Sequence, residues 1–273
     1  MKAPLFSVII PALNEEKFLP KLLQSLARQT VKNFEVIVVD GKSKDKTVAV
    51  ATSFQKKLPG LRVIPAEKAS LPYQRNLGAK HAGGEWFVFV DADSVLMPYF
   101  IDRSVQYIQN SKTTFFTSWF RPDSEEIKDA ILILLNNIFI EGYILVKRPW
   151  SPGPLVLVKR EIYFLVGGYD EARSFDEDHD FSMRLHKKHV MLTVLREVLC
   201  VFSLRRYRKQ GILGAFGAYI YSSISVLLTN TSPSNVPGFV MGGQLYNEKK
   251  IPWNEKIVRD VTRHLQSIIK LFQ

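Results

Sequence analysis

The chain is poor in the devices that staple small folds. One cysteine, Cys200, in 273 residues leaves no internal disulfide and no cysteine-rich metal site, and suits a reducing compartment. Zinc-type spacing is missing too: His186 and His189 come nearest, and Lys187 and Lys188 beside them read as a solvated basic end. Neither G-x-G-x-x-G nor a Walker motif occurs, which removes dinucleotide and P-loop readings. There is no internal repeat and no low-complexity segment. The N-terminus, MKAPLFSVIIPALNEE, lacks the long apolar run and small-residue cleavage site of a signal peptide, because Pro11, Glu15 and Glu16 interrupt it. It reads as a buried first strand, and the protein is expected in the cytoplasm.

What is present fits a packed globular protein of one large domain or two modest ones: 46% hydrophobic and 23% charged residues. That composition excludes disordered, collagen-like and disulfide-scaffold chains. Thirty-seven basic residues oppose 26 acidic ones, a formal charge of +11. The surplus is uneven, since residues 200–273 carry 10 basic and 3 acidic side chains. Such a basic region implies an anionic partner, whether phosphorylated ligand, lipid headgroup or nucleic acid.

Apolar runs and helical spacings alternate over the first 120 residues. Phe6–Ile10, Phe34–Val39, Leu61–Ile64, Trp86–Val90 and Thr113–Trp119 read as strands; Glu15–Arg28, the stretch from Lys46, Pro72–Ala82 and Phe100–Ile108 read as helices. This order implies an α/β fold with a mostly parallel central sheet and helices on both faces, because strands so continuously apolar are covered on both sides. Further on, 125–146 is an apolar helix, Pro149–Pro154 a break, Leu155–Val158 a strand, Glu177–Lys188 a helix, and Val190–Arg196 and Val198–Leu204 two strands. Ligands of such sheets bind beyond the carboxyl ends of the strands. Pro11–Asn14, Asp40 and Asp91 all stand there.

Three acidic groups carry chemistry. Asp91-Ala92-Asp93 leaves an apolar strand directly, and two carboxylates so spaced can share Mg²⁺ or Mn²⁺ with substrate phosphates. Asp40 can accept hydrogen bonds from a base or ribose, with Gly41 turning the chain and Asp45 capping the next helix. Asp176-Glu177-Asp178-His179-Asp180 crowds four carboxylates at a helix start, where mutual repulsion raises a pKa and can poise a general base. Arg205-Arg206-Tyr207-Arg208-Lys209 offers forks that match phosphate oxygens. Behind it, 211–229 is uncharged over 19 residues, about 28 Å as a helix. Its three glycines, three serines and two tyrosines dilute it toward a surface-lying helix rather than a span.

Taken together, these motifs resemble the family 2 glycosyltransferases of the GT-A fold. SVIIPALNEE is similar to that family's first strand with its P-x-x-N-E signature, and VVDGKSKDKT to its second-strand segment. QRNLGAKHAGGEWFVFVDADS resembles the R-N-x-G…A-x-G-E…D-x-D run. GGYDE followed by FDEDHDFSMRLHK resembles G-G-F-D-E followed by E-D-x-D-L-x-x-R. The likeness covers about residues 5–210. It implies an inverting, metal-dependent hexosyl-type transferase with a nucleoside diphosphate sugar donor. Pro11, Glu15, Asp40, Arg75 and Asp91 would then bind the nucleotide, Asp93 the Mn²⁺ or Mg²⁺, and Arg205, Arg206 and Arg208 the diphosphate. Asp178 would be the catalytic base, with Glu177 its neighbouring acid. Gly41-Lys42 departs from the family's usual Asp-Gly and removes a second acidic contact at 41.

The implied organisation is a GT-A domain over 1–210, with a nucleotide half of about 1–120 and an acceptor half of about 121–210. A basic and apolar helical extension over 211–273 is a candidate for peripheral contact with the cytoplasmic membrane face. Trp119, Trp150 and the residues between them are candidates to shape the acceptor site, with a lipid-linked or polysaccharide acceptor in view. Two alternatives stand beside this reading. A sugar nucleotidyltransferase would want a glycine-rich basic loop where this chain has Ala12–Glu16. A basic nucleic-acid-binding protein would want an aromatic platform among its basic residues and would leave the acidic strand ends unexplained, so no nucleic-acid partner is expected.

Overall fold

A computed structural model describes residues 3–210; the expected extension, 211–273, lies outside the described residues. The first part of the chain runs β1 (Phe6–Ala12), α1 (Leu19–Ala27), β2 (Phe34–Asp40), α2 (Thr47–Ser53), β3 (Arg62–Pro65), α3 (Leu71–His81), β4 (Trp86–Val90), β5 (Val95–Leu96) and α4 (Phe100–Asn110). The second half adds β6 (Phe115–Pro122), α5 (Ile127–Leu145), β7 (Leu155–Lys159), α6 (Arg160–Leu165), α7 (Glu177–Lys187), β8 (Thr193–Phe202) and α8 (Arg205–Gln210).

One sheet holds these strands in the order β3-β2-β1-β4-β7-β6-β8-β5. The β3-β2-β1-β4 part is parallel. Then β7 runs antiparallel between β4 and β6, β8 is parallel to β6, and the two-residue β5 closes the edge antiparallel to β8. The central strands are apolar throughout because each face meets its own core. Val8, Ile10, Val36, Val38 and Val88 pack with α1 and α4. Ile9, Ile37, Val39, Phe87 and Phe89 pack on the other face with α3, α6 and α7. Helix α3 lies close on the sheet because Gly78 faces it: a Cβ there would stand 2.4 Å from Ile9 Cγ2 and 3.1 Å from Val39 Cγ2.

The structure differs from the sequence expectations in instructive places. The two late strands are one, β8, whose pairing with β6 shifts register around Trp119. Arg196 and Glu197, at the expected gap between the two, lie within this irregular strand, which sends Arg196 to Glu141 on α5 and Glu197 to Arg103 on α4. Helix α1 starts at Leu19 with Pro20 in its first turn, a position that suits proline's fixed φ and missing donor. Glu15 is thereby left in the preceding loop, where its backbone N–H donates to Thr47 Oγ1 at 2.7 Å. Strand β5 and the six-residue α6 and α8 are too short to show a period.

Overpacking at the α3–sheet contact gives the fold's test. Gly78→Ala should lower stability by about 1–3 kcal/mol in urea melts, with an unchanged slope. A variant as stable as the parent would mean that the contact yields freely.

Candidate active site

Register brings the strand ends level. Ala12 pairs with Asp40 and Asp40 with Pro65, while Pro11 is buried opposite Val39. Gln74 of α3 clamps the ends of β1 and β2, its amide donating to Ala12 O at 3.0 Å and Val39 O at 2.8 Å. The loops that follow are laced together: Asn14 N–H donates to Ser43 Oγ, Lys44 N–H to Asn14 Oδ1, and Glu16 N–H to Asp45 Oδ2. Asn14 and Lys42 take positive φ of 55° and 67°, the kind of backbone strain that gathers at functional sites. Asp45, expected to cap α2, stands one residue ahead of the N-cap, Lys46, and accepts from Thr47 N–H at 2.9 Å. Asp40 Oδ2 accepts from Ser43 N–H at 3.1 Å. Its Oδ1 is buried with no partner among the described residues, an acceptor left over for something else.

The centre of the site is Arg75, only 1% exposed. Its guanidinium meets Asp178 Oδ1 at 2.6 Å, Glu177 Oε1 at 3.2 Å and Asp91 Oδ1 at 3.3 Å, and donates to Gly153 O at 3.3 Å. The ring of Tyr169 lies 4.9 Å from the guanidinium carbon. One cation facing three carboxylates leaves negative charge in excess. Burial pushes Asp178 well above the usual carboxylate range, with Arg75 pulling down and Glu177 and Asp91 adding repulsion. Asp91 rises to about 6 for the same reason, again against Arg75.

Beside this cluster stands a second one. Arg205 at the start of α8 grips Glu15 with two bonds of 2.6 Å, meets Asp93 Oδ2 at 2.5 Å through Nε, and lies over the Phe18 ring. Burial lifts Glu15 to about 7, opposed by Arg205 and reinforced by Asp93 and Asp91. The two clusters therefore act on each other through Asp91 and Asp93. Asp178, from the far end of the sequence motifs, shares the cleft with the D-x-D aspartates.

Of the other expected residues, Arg208 is drawn elsewhere: it meets Asp123 at 2.7 Å and Asp129 at 3.8 Å, toward α5. Arg206 sits half-buried on α8. Several residues of the site were not singled out from sequence. A Cβ on Gly153 would fall 2.6 Å from Asp178 Oδ2, so glycine is what lets the Pro152–Pro154 loop press on the carboxylate. Asn76, next to Arg75, donates to Tyr169 O and accepts from Tyr169 N–H and Tyr163 OH. It anchors the loop of Gly167 and Gly168, both at φ near +75°. The R-N dipeptide is the signal: Arg75 reaches the acidic motif while Asn76 holds the G-G-Y loop.

Five carboxylates, Glu15, Asp91, Asp93, Glu177 and Asp178, thus face two guanidiniums. A divalent cation fits this donor set. Its ligands are hard oxygens, the local charge is in deficit, and one or two carboxylates suffice when phosphates complete the shell. Arg205 occupies Asp93 with a positive charge of the kind a metal would bring. Among the described residues no group of three or more His, Cys, Asp or Glu side chains is placed to hold a metal ion by itself.

Comparison with known proteins gives the same neighbourhood. The family model described as Glycosyl transferase family 2 matches residues 7–163. An "Uncharacterized glycosyltransferase" of Haemophilus influenzae is 31% identical over 196 residues, covering 66% of this chain and 62% of that protein. A "PGL/p-HBAD biosynthesis glycosyltransferase" of Mycobacterium tuberculosis is 41% identical over 198 residues, covering 71% and 74%. A Methanococcus voltae relative, named as a dolichyl N-acetyl-alpha-D-glucosaminyl phosphate diacetamido-dideoxyglucuronosyltransferase, is 34% identical, covering 66% and 60%. Among solved structures, S. aureus TarS 1–349 with UDP-GlcNAc superposes with a TM-score of 0.60 at 23% identity, covering 72% of this chain and 58% of that one. The mannosyltransferase PcManGT of Pyrobaculum calidifontis, with GDP-Man and Mn²⁺, gives 0.61 at 20% identity, covering 81% and 65%. These likenesses establish the GT-A fold.

The raised carboxyls give a signed pH dependence. A carboxyl whose pKa is higher folded than unfolded makes the folded state the better proton binder, so stability falls as pH rises through that interval. For Glu15 and Asp91 the interval runs from the ordinary values, 4.5 and 3.8, to about 7 and about 6. The Tm of metal-free protein should fall between pH 5 and pH 7.5 by roughly 5 °C, and Glu15→Gln should remove part of that fall. A Tm that rises over this interval would contradict the burial of these charges.

Proposed function

Because the chain belongs to glycosyl transferase family 2, we propose that this cleft moves a sugar from a nucleoside diphosphate sugar to an acceptor hydroxyl with inversion. The observation that carries the reading is Arg75, whose one guanidinium joins Asp178 of the acceptor half to Asp91 of the nucleotide half. Asp40 receives the nucleotide, its unpaired Oδ1 accepting an N–H or O–H of base or ribose beside Pro11. Asp91 faces the ribose and diphosphate, and Asp93 would hold Mn²⁺ or Mg²⁺, which would supply Lewis-acid neutralisation of the leaving group. Arg205 turns from Asp93 and Glu15 to the phosphate oxygens, a fork that fits them, with Arg206 nearby.

Asp178 takes the proton of the acceptor hydroxyl as that oxygen attacks the anomeric carbon. The bond from that carbon to the diphosphate oxygen breaks as the new one forms, so a single displacement inverts the centre. A buried carboxylate is a stronger base than an exposed one, and Arg75 keeps enough of it ionised to act. Glu177 and Gly153 fix the geometry, Glu177 through Arg75 and Gly153 by lying against the carboxylate. Support for a lipid-linked acceptor comes from the name of the Methanococcus voltae relative, which specifies a dolichyl-phosphate-linked sugar. No helix among the described residues is long and apolar enough to cross a membrane.

A thermal-shift series of nucleoside diphosphate sugars tests the donor half: the matching donor should raise Tm only with Mn²⁺ or Mg²⁺ present, by mass action on the native form. Asp178→Asn should keep that shift and lose about 10²–10⁴-fold in turnover. Turnover near that of the parent would remove Asp178 from the base role.

A further inference from the structure

Helix α5 is apolar on two sides, and among the described residues only one of them is covered. Ile133, Asn137, Ile140 and Tyr143 are buried against the body of the protein, with Asn137 bonded to both backbone groups of Phe120. On the other side Ile131, Leu134, Leu135, Ile138, Phe139 and Leu145 are 45–83% exposed. From Ile131 to Val146 this outward face carries no charge. Glu141, the charged residue in that span, lies at the edge of that face, paired with Trp119 Nε1 and with the exposed Arg196. Soluble monomers seldom leave so long an apolar stripe bare.

We propose that this face of α5 docks on an anionic lipid surface, the helix lying in the plane of the headgroups. Charge favours that occupant at the C-terminal end of the stripe, where Lys147 and Arg148 stand; at the other end Lys128 is paired with Glu126 at 2.7 Å, beside Glu125 and Asp129. Continuity favours it as well. Arg208 of α8 meets Asp129 in the first turn of α5, so the chain leaves the described residues beside that helix. It enters an uncharged apolar stretch, 211–229, within the quarter that holds 10 basic against 3 acidic residues. An apolar helix face flanked by basic residues binds bilayers by buried area and lipid charge together.

The docking face connects directly to the cleft. Phe139 packs edge-on to Trp150 and Tyr143 to His179, the residue after Asp178. The chain then runs through Pro149–Pro154 to Gly153 against the Asp178 carboxylate. On the transferase reading proposed above, on which this consequence rests, a docked α5 sets the base at the bilayer edge, where a lipid-borne hydroxyl emerges.

Flotation of the full chain with phosphatidylcholine vesicles, with and without phosphatidylglycerol, tests the docking. The parent should float with the anionic vesicles. Leu135→Glu with Ile138→Glu, both already exposed, should weaken partition by at least about a hundredfold without changing Tm or nucleotide binding. A parent that ignores vesicles, or a variant that floats as well as the parent, overturns the proposal. So does a parent that is dimeric without lipid and made monomeric by the two substitutions, or one whose Leu135→Cys cross-links to a cysteine placed in 211–229 before vesicles are added. Flotation lost as described in a protein that binds no nucleotide sugar would uphold the docking and remove the transferase reading.

Discussion

A guanidinium buried among carboxylates is costly to desolvate and is held there only by partners that cannot leave. Arg75 is such a group, and its partners come from three separate parts of the chain: Asp91 after β4, Glu177 and Asp178 at the start of α7, and the carbonyl of Gly153. The contact between Arg75 and Glu177 spans 102 positions of sequence. The two halves of the fold are therefore joined at the site itself, not only through the sheet. Burial raises Asp91 and Asp178, against the pull of Arg75, and the neighbouring carboxylates add to the rise.

The sheet supplies the level edge on which this works. Parallel β3-β2-β1-β4 bring Asp40 and Asp91 to one side, and antiparallel β7 brings the Pro152–Pro154 loop to the end of β4, where Asp91 N–H meets Pro154 O. Helix α3 serves both halves because Gly78 lets it lie close to Ile9. From that position Gln74 clamps the strand ends, Arg75 reaches the acids and Asn76 the Tyr169 loop. Three consecutive side chains of one helix thus organise three parts of the site.

What was legible in sequence follows from range. Strands β1, β2, β4 and β7 were readable because a strand buried on both faces is a continuous apolar run, and Asp40 and Asp91 because they end such runs. The acidic start of α7 was readable because its charges crowd locally. Pairings set only by the folded chain were not readable: β5 is two residues long and exists because Leu96 meets Cys200, and the irregularity of β8 lies in its register with β6. Arg205 was expected at the diphosphate, and its grip on Glu15 spans 190 positions. Arg208, expected beside it, goes to Asp123 and Asp129 instead, since α8 turns successive residues to different sides. Gly153 looked like a loop breaker; its closeness to Asp178 appears only in three dimensions.

The central claim is that Arg75 sets the protonation of the base that performs the transfer. The pH dependence of kcat in the parent, Arg75→Lys and Arg75→Gln addresses it most directly. Losing the positive charge should move the acid limb of the Arg75→Gln profile to higher pH by about one unit or more, while Arg75→Lys keeps the limb near the parent's. Profiles with the same acid limb in all three proteins would show that the base titrates independently of Arg75, and would contradict the account.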